Sequence, residues 1–208
     1  MMNIKKQTDA SQYGRSMIEM LGVLAIIGVL SVGGISGYTQ AMRKIKTNKT
    51  IETMLTISAN IKSISLRMRD YTGIKKAAIK MKAIPPELLG SGDDIDTNGV
   101  KKLYNAFGGE IAIDKFGTRS FYVAMNGLPR DVCIDIATKD YGSALIYAGN
   151  TAFSESTNVG VSKEDNLNFE NAGCGTNYCL KQIMTPVIAA NACTCENSNT
   201  CSVALITY

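Results

Sequence analysis

The sequence predicts an α+β protein in which one long N-terminal helix precedes a small domain of mixed helices and strands. A run of 23 residues without a charge, from Met20 to Met42, is followed by a one-sided apolar pattern that continues to Tyr71. Beyond Tyr71, short apolar runs alternate with turn residues, as is typical of a small domain of mixed elements. All six cysteines lie at or after Cys133, so disulfides would stabilise only the C-terminal part.

The composition of the chain excludes several classes of function. The 208 residues include no histidine, which excludes Ser-His-Asp and Cys-His catalytic arrangements and every metal site that uses imidazole. The net charge of +4 is too small and too evenly spread to indicate a nucleic-acid-binding protein. A hydrophobic share of 45 % is typical of neither a disordered chain nor a multi-span membrane protein. We expect no catalytic residue, no metal site and no cofactor.

The apolar run is long enough to cross a bilayer, whose hydrocarbon core of about 30 Å takes about 20 helical residues. A secretory signal would have a shorter apolar core, followed by a small-residue cleavage site. Here the order is reversed, because a polar leader, residues 1–14, ends in Gly14 directly before the apolar segment. This order favours a helix that remains on the mature chain, with its membrane part at 17–38.

Glu19 stands at the start of this apolar segment. A charged group inside a spanning helix costs about 2.5 to 3.5 kcal/mol on insertion scales. One interpretation places Glu19 at the level of the lipid headgroups, where its carboxylate stays hydrated. The other gives it a partner charge in an assembly. A chain cut after Gly14 would begin with the free amine of Arg15, and that amine, from a neighbouring copy, would neutralise Glu19.

The segment from Gly14 to Leu30, GRSMIEMLGVLAIIGVL, resembles the processing site and helix of type IV prepilins. In that family a dedicated peptidase cuts after the glycine and methylates the new amine, and a glutamate five residues beyond the cut serves assembly. The resemblance implies that Gly14 and Arg15 form the processing site and that Glu19 is the assembly residue. Arg15 departs from the usual Phe or Met. Ser36 stands where many type IVa pilins carry proline, which favours the IVb branch.

The remaining elements follow from local patterns. We expect the long helix to occupy 15–73 and to end near Tyr71, with Gly73 as a left-handed C-cap. A domain over 74–208 follows it. Its expected pieces are a helix over 75–82 stopped by Ile84-Pro85-Pro86, strands at 110–113, 120–125, 144–148 and 202–208, and helices that begin at Pro129 and at Thr185-Pro186.

The domain also resembles type IVb pilins, in Tyr104–Gly109, in Gly127–Cys133 and in a late helix that ends in cysteine. The resemblance implies the pilin fold, in which the long helix packs on an antiparallel sheet. It also implies a structural subunit that waits in the inner membrane with its domain in the periplasm. Prepilin peptidase and the inner-membrane assembly machinery would convert it into a helical homopolymer, an extracellular pilus. The alternatives are a pseudopilin of a type II secretion system and a minor tip pilin.

Six cysteines allow fifteen pairings. Cys133 and Cys193 resemble the pair that bounds the variable region of type IVb pilins, and the remaining cysteines would then pair locally across turn-rich segments. A crossed set that joins Cys133 to Cys195 or Cys201 is the main alternative. The expected bridges are Cys133–Cys193, Cys174–Cys179 and Cys195–Cys201.

Residues 94–105 resemble a calcium-binding loop in part. Asp94, Asp96 and Asn98 occupy ligand positions of an EF-hand-like calcium loop, but position twelve is Asn105 where such a loop needs a bidentate glutamate. A polar turn is the favoured interpretation. Zinc is disfavoured as well, because the cysteine spacings do not match those of zinc knuckles and an exported chain would oxidise them.

Overall fold

The computed structural model describes residues 10–65, 70–117, 119–150, 153, 174, 178–195 and 201–207, with side chains from Met17 onward. The chain divides into two compact units, Met1–Ile45 and Lys46–Tyr208, and each is described by itself. The helices are α1 (Ala10–Ser65), α2 (Ile74–Lys80), α3 (Arg130–Ala137) and α4 (Pro186–Ala192), with a 3-10 turn at Pro86–Leu88. The strands are β1 (Ile111–Phe116), β2 (Ser120–Leu128), β3 (Leu145–Gly149), β4 (Tyr178–Lys181) and β5 (Cys201–Thr207).

The end of α1 differs from the sequence prediction. The last helical residue described is Ser65, and Asp70 and Tyr71 are not helical. The Asp70 carboxylate accepts hydrogen bonds from the backbone N–H and the hydroxyl of Thr72, at 3.1 and 2.9 Å. Such local bonds offer the backbone an alternative to helix. Gly73 is left-handed, with φ of 70°, but it precedes α2 and does not cap α1.

The five strands form one antiparallel sheet in the order β1-β2-β5-β3-β4. The last strand of the chain therefore lies at the centre, between β2 and β3. The predicted strands and the helices that begin near Pro129 and Thr185 are confirmed. Thr185 caps α4, because its hydroxyl accepts the Ile188 N–H at 3.4 Å. The sequence analysis missed β4, a short strand that follows a turn-rich segment.

The sheet separates two apolar layers, since successive side chains along a strand point to opposite faces. On one face, the buried α1 residues Met54, Ile57 and Ile61 pack in one cluster with Val123 and Leu205. Their spacings of three and four residues put them on one side of the helix. The other face carries a second cluster, in which the rings of Tyr122 and Tyr147 contact Phe153.

The segment Tyr104–Gly109 is held by one buried amide. The Asn105 Oδ1 atom accepts the N–H groups of Phe107 and Gly109, and its Nδ2 donates to the carbonyl of Asn126 at 2.8 Å. Gly109 packs so closely that an added Cβ would lie 1.8 Å from that carbonyl oxygen. Only glycine fits there. Both the segment and the register shift in β2 near Asn126 are thereby fixed.

Three disulfides join the C-terminal part of the chain. The first links α3 to the C-cap of α4, with Cα atoms 6.0 Å apart and a sequence separation of 60 residues. The other two close loops with separations of 5 and 6 residues. The Asn150 side chain adds polar anchors, because it donates to the Thr194 hydroxyl and accepts the Cys195 N–H, both at 2.8 Å. The bridges are Cys133–Cys193, Cys174–Cys179 and Cys195–Cys201.

Candidate assembly segment and processing site

The N-terminal unit presents a long apolar surface, in which Glu19 is the one charged residue between Met17 and Tyr38. Every large apolar side chain from Met17 to Tyr38 is exposed, by 53 to 75 % of its area. Soluble monomers rarely expose apolar patches larger than a few hundred Å², so this surface calls for lipid or another protein chain. Among the described residues, one helix is long and apolar enough to span a membrane, with a mean hydropathy of 2.2 in its most apolar window.

Two hydroxyl groups within the apolar run donate hydrogen bonds to backbone carbonyls of the same helix. The Ser31 hydroxyl donates to the carbonyl of Ile27 at 2.7 Å, and the Thr39 hydroxyl donates to that of Ser36 at 2.8 Å. In a hydrocarbon environment an unsatisfied polar group costs several kcal/mol. In an apolar environment these two donors would therefore remain paired.

The processing and assembly residues predicted from the sequence lie on one stretch of α1. Gly14 and Arg15 belong to the helical backbone, and Glu19 is exposed. Four residues at 1.5 Å each place Glu19 about 6 Å along the axis from Arg15, roughly one turn. The structure therefore puts the carboxylate near the level of the amine that a cut after Gly14 would create.

Small residues share the face of Glu19. Gly37 follows Glu19 by eighteen residues, which is five full turns, and Gly33 lies one turn before Gly37 on the same side. A Cβ added at either glycine would meet no heavy atom within 4 Å, so the backbone is open to a neighbour there. Spacings of this kind permit close approach of two helices in lipid. Glu19 and the Gly33–Gly37 pair therefore share one face of α1.

In the EF-hand-like loop, the carboxylates of Asp94 and Asp96 are bound by lysines and hydrogen-bond donors of the chain itself. The Asp96 carboxylate lies 2.5 Å from Lys75 Nζ, and both side chains are buried. Burial works to raise the pKa of Asp96, but hydrogen bonds from Lys75 and the backbone N–H of Val100 outweigh it and hold the pKa below its usual value. A Ca²⁺ ion would have to displace these partners.

Asp94 in the same loop is also engaged. It accepts a hydrogen bond from the Tyr104 hydroxyl and pairs with Lys102 Nζ at 3.3 Å. The hydrogen bond from Tyr104, followed by that from Lys102, lowers the pKa of Asp94. The Lys75–Asp96 pair therefore joins α2 to this loop, and the contacts of Asp94 join the two ends of residues 94–104. Sequence reasoning missed the Lys75–Asp96 pair, because no local pattern links residues 21 positions apart.

One cluster of potential metal ligands occurs in the described part of the chain. The Sγ atoms of Cys133, Cys193 and Cys201 lie within 4.8 Å of one another. Each sulfur belongs to a disulfide, however, and only a thiolate binds zinc. The cluster is therefore a pair of adjacent bridges in the core.

An exposed apolar helix joined to an antiparallel sheet with a bridged C-terminal region defines a pilin-like architecture, and the comparisons agree. The family model described as PilS N terminal matches residues 44–204. A search of curated proteins finds no match. One similar solved structure is a type IV b pilin from Salmonella typhi, with 18 % sequence identity, coverage of 76 % of this chain and 96 % of that one, and a TM-score of 0.48. Another is TcpA, a type IV pilin from Vibrio cholerae El Tor biotype, with 12 % sequence identity, coverage of 78 % of this chain and 99 % of that one, and a TM-score of 0.52.

The match spans well over half of the chain, so the protein belongs to the PilS N-terminal family, and its fold is that of a type IV pilin. The predicted fold class and the family resemblance are thereby confirmed. The family match begins at residue 44, so it does not extend over Gly14, Arg15 or Glu19. Processing and assembly at those residues remain predictions.

Proposed function

We propose that the chain is a structural subunit of a type IVb-like pilus. In this proposal the leader, residues 1–14, is cut after Gly14, and the mature chain polymerises through the apolar part of α1 into an extracellular fibre. The observation that carries the proposal is the exposed apolar surface from Met17 to Tyr38 on a chain with the pilin fold. Lipid covers this surface before assembly, and neighbouring copies cover it afterwards.

Glu19 gives the assembly its register. The amine of Arg15 in an adjoining subunit neutralises the carboxylate once both leave the hydrated membrane surface. A buried ion pair of this kind adds little net stability, because desolvation offsets the attraction. Removing one partner is costly, however, since it leaves an uncompensated charge in an apolar surrounding. The pair therefore selects one axial alignment of neighbouring helices over others.

Topology in this proposal follows from the cysteines. The domain resides in the periplasm before assembly, because disulfides form and persist in oxidising compartments. The leader then lies in the cytoplasm, where prepilin peptidase and the inner-membrane assembly machinery act on the chain. The three bridges form before the subunit enters the fibre.

Electron microscopy of sheared surface fractions, probed with an antibody to residues 75–208, tests the proposal. Labelled fibres are expected from cells with an active prepilin peptidase. The mature subunit should have 194 residues, which is 208 minus 14, and begin at Arg15 by intact mass. An uncut Met1 start, or antigen confined to the membrane fraction, would contradict the proposal, and confinement would favour a pseudopilin.

A further inference from the structure

The C-terminal end of α2 carries a small basic patch that includes an exposed apolar side chain. Met81 is 56 % exposed, and the exposed lysines Lys80 and Lys82 stand on either side of it. We call Lys80–Lys82 the basic tip. Lys80 has a structural explanation, because a cation in the last turn of a helix interacts favourably with its dipole.

Lys82 follows the C-cap Met81 directly, where the same attraction applies. It closes α2 in a Schellman arrangement, in which the Lys82 N–H donates to the Ile79 carbonyl at 3.1 Å and the Ala83 N–H donates to that of Ala78 at 2.9 Å. The position requires a left-handed backbone, and Lys82 adopts φ of 55°. Glycine suits this position, and a lysine there costs stability. The basic tip therefore presents two exposed cations, one of them at a position that glycine would suit better.

An apolar groove of about 460 Å³ lies elsewhere in the same unit. Ile51 and Leu55 of α1 and the ring of Tyr141 provide its apolar walls, and Leu55 is 42 % exposed. Glu52, Asp140 and one cation, Lys139, also line it and are exposed, and the Asp140 carboxylate accepts the Gly142 N–H at 2.8 Å. The groove therefore suits an apolar side chain flanked by positive charges.

The tip and the groove lie on different parts of the folded unit. The chain next to the tip approaches α1 at Asn60, whose Nδ2 donates to the Ala83 carbonyl at 2.8 Å. Ile51 and Leu55, which line the groove, precede Asn60 by nine and five residues, so the groove lies earlier along α1. The sheet agrees with this placement, because α2 contacts β1 at one edge, whereas Asp140 and Tyr141 lead into β3, on the far side of β5. The two features are therefore separate patches.

We propose that the basic tip of one copy docks into the groove of the next copy in the fibre. Met81 fills the groove against Tyr141, where a thioether makes favourable contacts with an aromatic ring. Lys80 and Lys82 face Glu52 and Asp140. Two different patches of one molecule form a heterologous contact, and such contacts extend into open helical polymers where the rotation between copies does not close into a ring. This inference rests on the proposed function and adds a contact between the folded units to the one made by the apolar helices.

Photo-crosslinking in the full-length chain tests the contact. A photoreactive amino acid replaces Met81, the cells are irradiated, and the sheared fibres are digested for mass spectrometry. We expect crosslinks to residues 51–56 or 139–141 of a second copy. Crosslinks elsewhere in intact fibres would overturn this inference alone. If the unsubstituted chain makes no fibres, the proposed function fails, and this inference fails with it.

Charge variants provide the second arm. Lys82→Gly relieves the left-handed strain, so the melting temperature should stay equal or rise, whereas fibre yield should drop about tenfold as the paired cation is lost. Lys82→Glu should lower the yield further, and Asp140→Lys in the same chain should restore it. The matched control is Lys76→Glu, which reverses an exposed charge on α2 outside the tip. Normal fibre yield in both Lys82 variants would refute the docking.

Discussion

One helix meets two environments in this molecule. Between Met17 and Tyr38 its large apolar side chains are all exposed, whereas Met54, Ile57 and Ile61 further along are fully buried against the sheet. The first stretch is apolar all round and the second on one side only. A one-sided stripe can be covered by the chain's own sheet, but an all-round surface needs lipid or other chains. One part of the helix therefore belongs to the core of the folded unit, and the other part leaves its apolar surface for lipid or other chains.

Substitution of Glu19 should have the largest effect, and it should change fibre assembly without changing the stability of the folded unit. Glu19→Ala should abolish or strongly slow fibre formation, because the Arg15 amine of the adjoining subunit loses its counter-charge. Membrane insertion should be unimpaired or easier, since a charge leaves the apolar segment. Thermal unfolding of the folded unit in detergent should not change. Fibre formation at the normal rate would show that the proposed ion pair is wrong.

The folded unit should respond to the loss of its long bridge. Closing a loop of about 60 residues contributes about 4 kcal/mol in the chain-entropy model, so Cys133→Ser with Cys193→Ser should lower the free energy of unfolding by about that much. Surface fibres should disappear, while insertion of the apolar helix continues.

Non-reducing peptide mapping of the unsubstituted chain checks the connectivity on which this expectation depends. The three pairs seen in the structure should appear as linked peptides. A peptide that links Cys174 to any residue other than Cys179, or Cys133 to Cys195 or Cys201, would contradict the map and favour the crossed pairing.

The sequence allowed the fold to be predicted wherever a pattern repeats locally. The all-apolar run, the stripe at Ile57 and Ile61, and the turn residues before β1 and β2 each depend on near neighbours. What the sequence could not provide depends on distant partners. The position of β5 at the centre of the sheet and the Lys75–Asp96 pair both join residues far apart in the chain.

The candidate site divides in the same way. Glu19 and the glycines of its face could be found because helical periodicity relates positions along one element. The groove could not be found, since Leu55 and Tyr141 belong to segments 86 positions apart in the chain. The left-handed backbone at Lys82 gave no sequence signal, because the position that favours glycine holds a lysine.

Two isoleucines of α1, one buried and one exposed, allow a direct comparison of the two parts of the helix. Ile57 is fully buried and Ile27 is 53 % exposed. Ile57→Ala should lower the free energy of unfolding by about 3 kcal/mol, because it leaves a cavity under the helix. Ile27→Ala should leave the unfolding of the folded unit unchanged and act only on assembly. Denaturant titration of both full-length variants in detergent measures the difference, and equal losses would refute the division of roles.

The smallest expected effect concerns pH and the folded unit alone. The pKa of Asp96 is lowered in the folded state, because hydrogen bonds from Lys75 and the backbone outweigh the effect of burial. A lowered pKa stabilises the fold above the ordinary aspartate pKa of about 3.9, and this contribution disappears as the pH falls through the folded value. The difference in unfolding free energy between the unsubstituted chain and Asp96→Asn should therefore be constant near neutral pH and shrink below about pH 4. Asp93→Asn in the same loop is the charge-matched control, and subtracting it removes the general effect of acid. A difference that does not vary with pH would show that the Lys75–Asp96 pair does not couple protonation to folding.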